Sequence, residues 1–257
     1  MRIKIYLCAP KPLALPLSYH HIIQGFLYHC LMENPDFSGF LHERGYGEEE
    51  RHYKLFCFSL LKGEYRIVQK QIIFSGEVML EVGSIDDVFL RILTDVLMAE
   101  KQFELYRQTV SLDHIEVWNR PIETISAQIE MISPVTVHRT ALDEEGRRRT
   151  IYYHPWDAAF RELICDNYVR KYTAFYGTEP FDEVSIVPVH VSERDKYVTR
   201  FKGQTMVTGW KGIYQLTGSK EALNFLYQTG IGDRNSQGFG MFALHSPTSA
   251  GANRHVC

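Results

Sequence analysis

Four glycines fall within the eleven residues Gly230-Ile-Gly232-Asp-Arg234-Asn235-Ser236-Gln-Gly238-Phe-Gly240. Glycine reaches backbone conformations closed to other residues and lets a ligand approach the peptide plane. Successive exposed N–H groups in such a loop form a concave seat for anions. Arg234, Asn235 and Ser236 add a cation, an amide and a hydroxyl. The flanking pattern excludes two nucleotide motifs. A dinucleotide fingerprint runs strand, glycines, helix, whereas here a helical pattern over Glu221–Gln228 precedes the loop and a strand-like Gly238–Leu244 follows. No Walker A loop is present.

Other reactive residue types are dispersed. The eleven histidines contain no H-x-x-x-H pair, and no acid pair stands at ligand spacing. Neither a hydrolytic metal site nor a cofactor is therefore expected. The five cysteines contain no CxxC pair and read as reduced thiols. Basic residues gather in two places. Arg139, Arg147, Arg148 and Arg149 flank an inserted hairpin over 134–153 with a charged tip, and Lys196, Arg200, Lys202 and Lys211 alternate along the third strand region of the second half. Both are candidates for gripping phosphates, and a solvated charged hairpin is the competing reading of the first.

The chain has 257 residues, 45% apolar and 23% charged, which fits one large or two small globular units. A net charge of −3 disfavours a generally basic nucleic-acid binder, but a local basic groove can coexist with an acidic remainder. No apolar run reaches the length of a membrane span, and Met1–Leu7 alternates like a strand rather than a signal peptide. A cytoplasmic location without membrane contact is expected.

Periodicity predicts the positioning elements. Strand Arg2–Cys8 leads through a proline-containing loop to a helix capped by Ser18 and ending near Met32. Strands follow over Tyr53–Lys62 and Tyr65–Val82, then a helix over Ile85–Glu100 and a strand over Phe103–Trp118. The second half repeats the plan. Strand Glu123–Ile132, the inserted hairpin, a helix from Pro155 to Tyr176, strands over Phe181–His190 and Tyr197–Leu216, a helix capped by Ser219 and a last strand after the glycines complete it. The order β-α-β-β-α-β thus occurs twice, which predicts an α+β fold of two tandem ferredoxin-like domains. The expected divisions are 1–121, 122–246 and a mobile tail, 247–257.

Tandem ferredoxin-like halves ending in Gly-x-Gly-x(5)-Gly-Phe-Gly resemble the CRISPR-associated repeat-processing endoribonucleases of the repeat-associated mysterious protein superfamily. The segments Gln24-Gly-Phe-Leu-Tyr28, Phe40-Leu-His-Glu43, Tyr53-Lys-Leu-Phe-Cys-Phe-Ser59 and Ile132-Ser-Pro-Val135 match that family in order and spacing, and the likeness covers residues 1 to about 245. The resemblance implies an enzyme that cuts precursor CRISPR RNA within each repeat without metal, using the substrate's own 2′-hydroxyl. Such chemistry needs a base for the 2′-hydroxyl, an acid for the leaving 5′-oxygen and a donor to the phosphorane.

By resemblance the catalytic candidates are His42 for proton transfer, Lys54 for charge stabilisation and Tyr28 for orienting the nucleophile or phosphate. The division of acid and base between His42 and Tyr28 stays open. His20, His21, His29 and His52 are rivals to His42. RNA contacts are expected from Gly230, Gly232, Arg234, Asn235, Ser236, Gly238 and Gly240, with the loop positioning RNA rather than cutting it. Repeat RNA is the implied partner, and interference-complex subunits or a homodimer are further partners the resemblance admits. The competing readings are a non-catalytic RNA-binding subunit and a protein-interaction module with no RNA role.

Overall fold

Alternation along Arg2–Cys8 puts Ile3, Ile5 and Leu7 on one face, and all three are buried. The structure, a computed structural model, describes residues 1–47, 52–118, 120–203 and 205–245. Residues 247–257, expected to form a tail, lie outside the described residues. The first half runs β1 (Arg2–Cys8), β2 (Leu13–Pro16), α1 (His20–Leu31), α2 (Pro35–Gly39), a π-helical turn (Phe40–Arg44), β3 (Phe56–Phe58), β4 (Lys62–Val68), β5 (Gln71–Ser84), α3 (Asp87–Glu100), β6 (Gln102–Leu105) and β7 (Gln108–Trp118). β1 is central, with Ile5 opposite Leu80 of β5 and Ile115 of β7. β3 joins the far edge of β5, giving the ferredoxin-like order β7-β1-β5-β3.

The second half runs β8 (Ser126–Met131), β9 (His138–Leu142), β10 (Arg148–Tyr152), α4 (Ala158–Tyr176), β11 (Ser185–His190), β12 (Lys196–Phe201), β13 (Thr205–Trp210), β14 (Ile213–Thr217), α5 (Lys220–Thr229) and β15 (Phe242–Leu244). Its four-stranded sheet is ordered β11-β14-β8-β15, the same topology. The β9–β10 and β12–β13 hairpins are separate two-stranded ribbons added to that plan. The architecture is α+β with two ferredoxin-like sheets. Among the described residues no helix is long and apolar enough to cross a membrane.

The structure departs from the pattern expected of the sequence in several local places. Leu13–Pro16 is a strand pairing with β5, not loop, because Leu13 and Leu15 alternate into the core. Tyr19, not Ser18, precedes α1, without a side-chain cap. The expected strand over Tyr53–Lys62 survives only as β3, because Leu55 takes a left-handed φ of 49°. Phe103–Trp118 is a hairpin turning at Tyr106-Arg107, both with positive φ. Asp86 caps α3 by accepting from the Val88 amide, and Ser219 caps α5 as expected.

Each half has its own core, and polar contacts at 0–5% exposure join them. Ile3, Leu27, Phe56, Phe74, Leu80 and Phe89 belong to the first core, and Ile129, Tyr168, Tyr214, Leu223 and Phe242 to the second. Arg2, fully buried on β1, pairs with Glu81 at 2.8 Å. Its guanidinium also donates to the carbonyls of Tyr227 and Phe242 in the second half. The charge is thus desolvated but satisfied, the condition under which a buried pair survives. Leu60 N–H donates to Ile132 O across the same junction.

Candidate functional site

The segment after α1 is built for a sharp change of direction. Asn34 caps α2 by accepting from the Phe37 amide, with Pro35 at the first helical position. The chain then widens into the π-helical turn that carries His42, where the sequence reading expected loop. Gly45 ends the turn at φ 67°, its N–H bonded to Phe40 O. A Cβ at Gly45 would lie 2.6 Å from Tyr53 O and 3.2 Å from Lys54 Nζ, so the lysine chain occupies the space a side chain would need. Tyr46 and Tyr53 exchange two backbone hydrogen bonds of 2.8 Å. That bridge fixes the approach of His42 to Lys54 whatever the segment between them does.

Tyr28, His42 and Lys54 come together. The Tyr28 and His42 rings meet edge to face at 6.3 Å, and Lys54 Nζ donates to the His42 carbonyl at 3.1 Å. His42 is exposed, while Tyr28 and Lys54 are half-buried. Burial pushes the Tyr28 hydroxyl up to about 12 and lowers the Lys54 ammonium from its ordinary value. Tyr28 therefore keeps its proton at neutral pH and serves as a donor. Tyr46 braces the cluster from below. Its hydroxyl donates to Asp86, and its ring packs against Phe40 and Phe175 of α4.

The glycine loop is a packed plug rather than an open row of amides. Ile231 N–H bonds to Gly240 O, Asp233 N–H to Thr136 O and Gly240 N–H to Pro134 O. The Asn235 amide donates to Ile231 O and Phe239 O, while its oxygen accepts from Lys171 at 3.1 Å. Gly230, Gly238 and Gly240 are buried. A Cβ on Gly240 would stand 1.9 Å from Ile231 O, and one on Gly238 2.5 Å from the Phe58 ring. These glycines permit close packing and do not line a cleft, which corrects the expectation that their amides face a ligand. Gly232, Arg234, Asn235 and Ser236 do line one.

That cleft, of about 380 Å³, also receives Lys54, His52, His138, Asn167 and Lys171. Of the catalytic candidates of the first half, Lys54 alone lines this recess opposite the loop of the second half, while Tyr28 and His42 line neither cleft and stand behind Lys54. A neighbouring cleft of about 690 Å³ is lined by Arg139, Arg170, Tyr53 and His138. Arg147, Arg148, Arg149 and Lys202 line neither. Arg147 pairs with Asp143 and Glu145 at the hairpin tip, and Arg149 with Asp143 at 2.8 Å. Lys202 sits at an exposed turn after β12 with a φ of 50°.

Four residues that the sequence did not single out, Lys171, Asn167, Asp233 and His138, hold this arrangement. Lys171, 2% exposed, donates to Gly230 O at 2.6 Å and to Asn235, and burial lowers its pKa to about 8. Asn167 donates to Asp233, whose other oxygen faces His138 at 2.7 Å. A signal existed. Asn167 and Lys171 occupy the stripe of α4 that continues Phe160, Ile164 and Tyr168, where a helix ordinarily puts apolar residues.

His20, a rival for catalysis in the sequence, is instead a buried clamp. A carbonyl only accepts, so His20 Nδ1–H donates to Gln237 O at 3.1 Å and Nε2 accepts from the Tyr197 hydroxyl at 3.0 Å. Its ring stacks on Phe239 at 4.7 Å, and burial lowers its pKa to about 4. Gln24 adds a bond to Ser236 O at 2.8 Å. The sequence also gave no sign that Glu77, Asp113 and His114 converge on the surface of the first half, with ligand atoms within 4.8 Å. They are exposed, as acidic surface groups often are, and line neither cleft.

The family described as CRISPR associated protein Cas6, C-terminal, matches residues 118–244. The CRISPR-associated endoribonuclease Cas6 of Pyrococcus furiosus is 24% identical over 231 residues, covering 88% of this chain and 82% of its own. CRISPR-associated endoribonuclease Cas6 1 of Methanocaldococcus jannaschii is 22% identical, covering 94% and 91%. A solved structure of a Cas6-related gene from Pyrococcus furiosus superposes with a TM-score of 0.83 at 17% identity, covering 96% and 99%. At that identity the superposition speaks for the fold, while the family match and the full-length relatives speak for descent. The chain belongs to the Cas6 family of CRISPR-associated proteins, the repeat-processing family its motifs resemble.

Proposed function

We propose that this protein is an endoribonuclease that cuts precursor CRISPR RNA within its repeats, without a metal ion. The observation that carries the reading is the meeting of Tyr28, His42 and Lys54 beside a cleft whose other wall is the glycine loop. The relatives named above as endoribonucleases cover nearly the whole chain, which supports the same activity here.

In this reading the RNA lies along the cleft, with Arg234 and the polar groups of Asn235 and Ser236 on its backbone. The scissile phosphate sits over Lys54. The 2′-oxygen attacks the adjacent phosphorus as its proton leaves, the bond to the 5′-oxygen breaks, and that oxygen takes a proton. The products are a 2′,3′-cyclic phosphate and a 5′-hydroxyl. His42 is exposed and free to exchange protons with the substrate, so it carries the transfer. The raised pKa of Tyr28 suits it to donate a hydrogen bond rather than to act as base. Gly230, Gly238 and Gly240 contribute by shaping the loop. Arg139, Arg148 and Lys202 are offered as outer contacts to RNA, and Arg147 and Arg149 as contacts that must first leave their carboxylates.

The test is cleavage of repeat RNA in excess EDTA, with a control carrying hydrogen in place of the 2′-hydroxyl at the cut. Cleavage of the first and survival of the second are expected. Cutting of the deoxy substrate, or loss of activity in EDTA, overturns the mechanism. A wild type that binds but never cuts makes the protein an RNA-binding subunit instead. We further divide the chain at residue 121, each part a ferredoxin-like unit with its own core.

A further inference from the structure

Cleavage by a 2′-hydroxyl needs two proton carriers, and they must stand on opposite sides of the phosphorus, because the attacking and leaving oxygens lie in line across it. His42 supplies one. Tyr28 keeps its proton, and Lys54 is the cation under the phosphate. Tyr28 and His42 stand behind Lys54 and line neither cleft. The second carrier therefore has to come from the cleft side.

The ionisable side chains on that side differ in what holds them. Lys171 is bonded to Gly230 O and Asn235. Asp166 pairs with Arg170 at 3.3 Å. His52 is exposed, and no side chain bonds to its ring among the described residues. His138, the first residue of β9, is built in and lines both clefts. Asp233 Oδ2 lies 2.7 Å from its Nδ1 and accepts its main-chain N–H at 3.0 Å. One oxygen thus serves both groups, and its contact with Nδ1 is bent away from the ring's donor line. Asp233 Oδ1 accepts from the Asn167 amide at 3.3 Å, and its own N–H donates to Thr136 O at 2.8 Å.

This setting fixes the tautomer. Nδ1 is covered from water and faces a carboxylate oxygen, which only accepts, so Nδ1 carries a proton in either charge state of the ring. The lone pair of the neutral ring is then on Nε2. The side chain is 22% exposed with Nδ1 covered, so Nε2 is the nitrogen open to the clefts. A carboxylate that holds one nitrogen of an imidazole and leaves the other free toward a substrate is the support a general base requires.

We infer that His138 is the general base of the cleavage and His42 the general acid, an assignment that rests on the endoribonuclease reading above. His138 Nε2 takes the 2′-hydroxyl proton as the 2′-oxygen bonds to phosphorus. The bond from phosphorus to the 5′-oxygen breaks with its electron pair, and the His42 imidazolium protonates that oxygen. Asp233 faces the charge that appears on His138 and acts as its positioning residue. His138 then gives a proton to water and His42 takes one, so no net proton is consumed. Each half of the chain contributes one carrier.

Single-turnover cleavage by the full chain tests the assignment with two repeat RNAs. One is natural, and one carries sulfur for the 5′-oxygen at the cut, whose thiolate leaves without a proton. His138→Asn keeps an N–H for Asp233 but has no atom at Nε2. It should slow cleavage of both RNAs about 10²-fold or more at unchanged RNA affinity. His42→Ala should be slow on the natural RNA and recover on the sulfur RNA. Asp233→Asn should lower the rate constant without weakening binding. Free imidazole should restore cleavage to His138→Ala, which a structural role of that ring does not allow. A His138→Asn variant as fast as wild type overturns the inference, as does its recovery on the sulfur RNA or a His138→Ala variant that imidazole leaves inactive. So does His52→Ala showing this pattern instead. A wild type that cuts neither RNA overturns the endoribonuclease reading itself, and this assignment with it.

Discussion

The cluster around His42, which reaches the cleft through Lys54, and the glycine loop on the cleft's other wall are built in opposite ways. His42 is exposed, touches Tyr28 by a ring edge and receives Lys54 through its carbonyl, not its imidazole. The loop is tied by backbone bonds to Pro134, Thr136 and its own ends, with buried glycines and a buried lysine beneath it. The difference teaches where each kind of motif exerts its effect. The histidine must reach a substrate and change charge, so its side chain is left in water. The glycines must let backbone strands meet at distances a Cβ forbids, so they are hidden. A glycine-rich motif near a functional cleft can be a packing device whose benefit is the placement of its non-glycine members.

The sharpest break of this contrast is His42→Ala. It should reduce cleavage about 10²- to 10⁴-fold in single-turnover assays, with unchanged melting temperature and RNA affinity. A drop in stability of comparable size would mean that the exposed residue is structural after all. Gly240→Ala should do the reverse. Gly240 and Gly76 share a φ of 76°, but a Cβ on Gly240 would stand 1.9 Å from Ile231 O while one on Gly76 meets nothing within 4 Å. The strain alone costs on the order of 1–3 kcal/mol at either site. Urea denaturation should therefore show a markedly larger loss for Gly240→Ala, accompanied by lost RNA binding.

The clamp at His20 makes the joint between the two regions acid-sensitive. Unfolded, the imidazole takes a proton near 6.5, whereas in the fold it does so near 4. Below pH 6.5 the unfolded chain binds more protons, so stability present above that value is lost progressively as pH falls to about 4. The loss reaches about 3 kcal/mol. His20→Gln should flatten that part of the stability–pH curve, and an unchanged curve would refute the assignment. The smallest effect belongs to the hairpin. Arg148→Ala should lower the salt dependence of RNA binding by about one unit of slope. Arg147→Ala should change it less, because Asp143 and Glu145 already neutralise that arginine. Equal slopes for the two variants would show that the carboxylates release it on binding.

Much of the site was legible because its residues carry local signatures. Period-two and period-3.6 patterns marked β1, α1, α3 and α5, and Tyr28, His42 and Lys54 stood in segments whose order and spacing resemble a known family. The π-helical turn was not legible, since its backbone depends on Gly45 and on the bridge from Tyr46 to Tyr53. Lys171 was missed because a polar residue on a helix ordinarily points to solvent, and only its depth reveals its two loop acceptors.

By itself the sequence determined the repeated β-α-β-β-α-β order and the chemical types near the cleft, because both follow from spacing along a few turns or strands. Only the tertiary structure decided what the glycines do and which histidine is buried. His20 meets Gln237 across 217 positions of chain, and Gln24 meets Ser236 across 212. Bonds at that separation depend on how two sheets and their helices pack, and no local propensity encodes them.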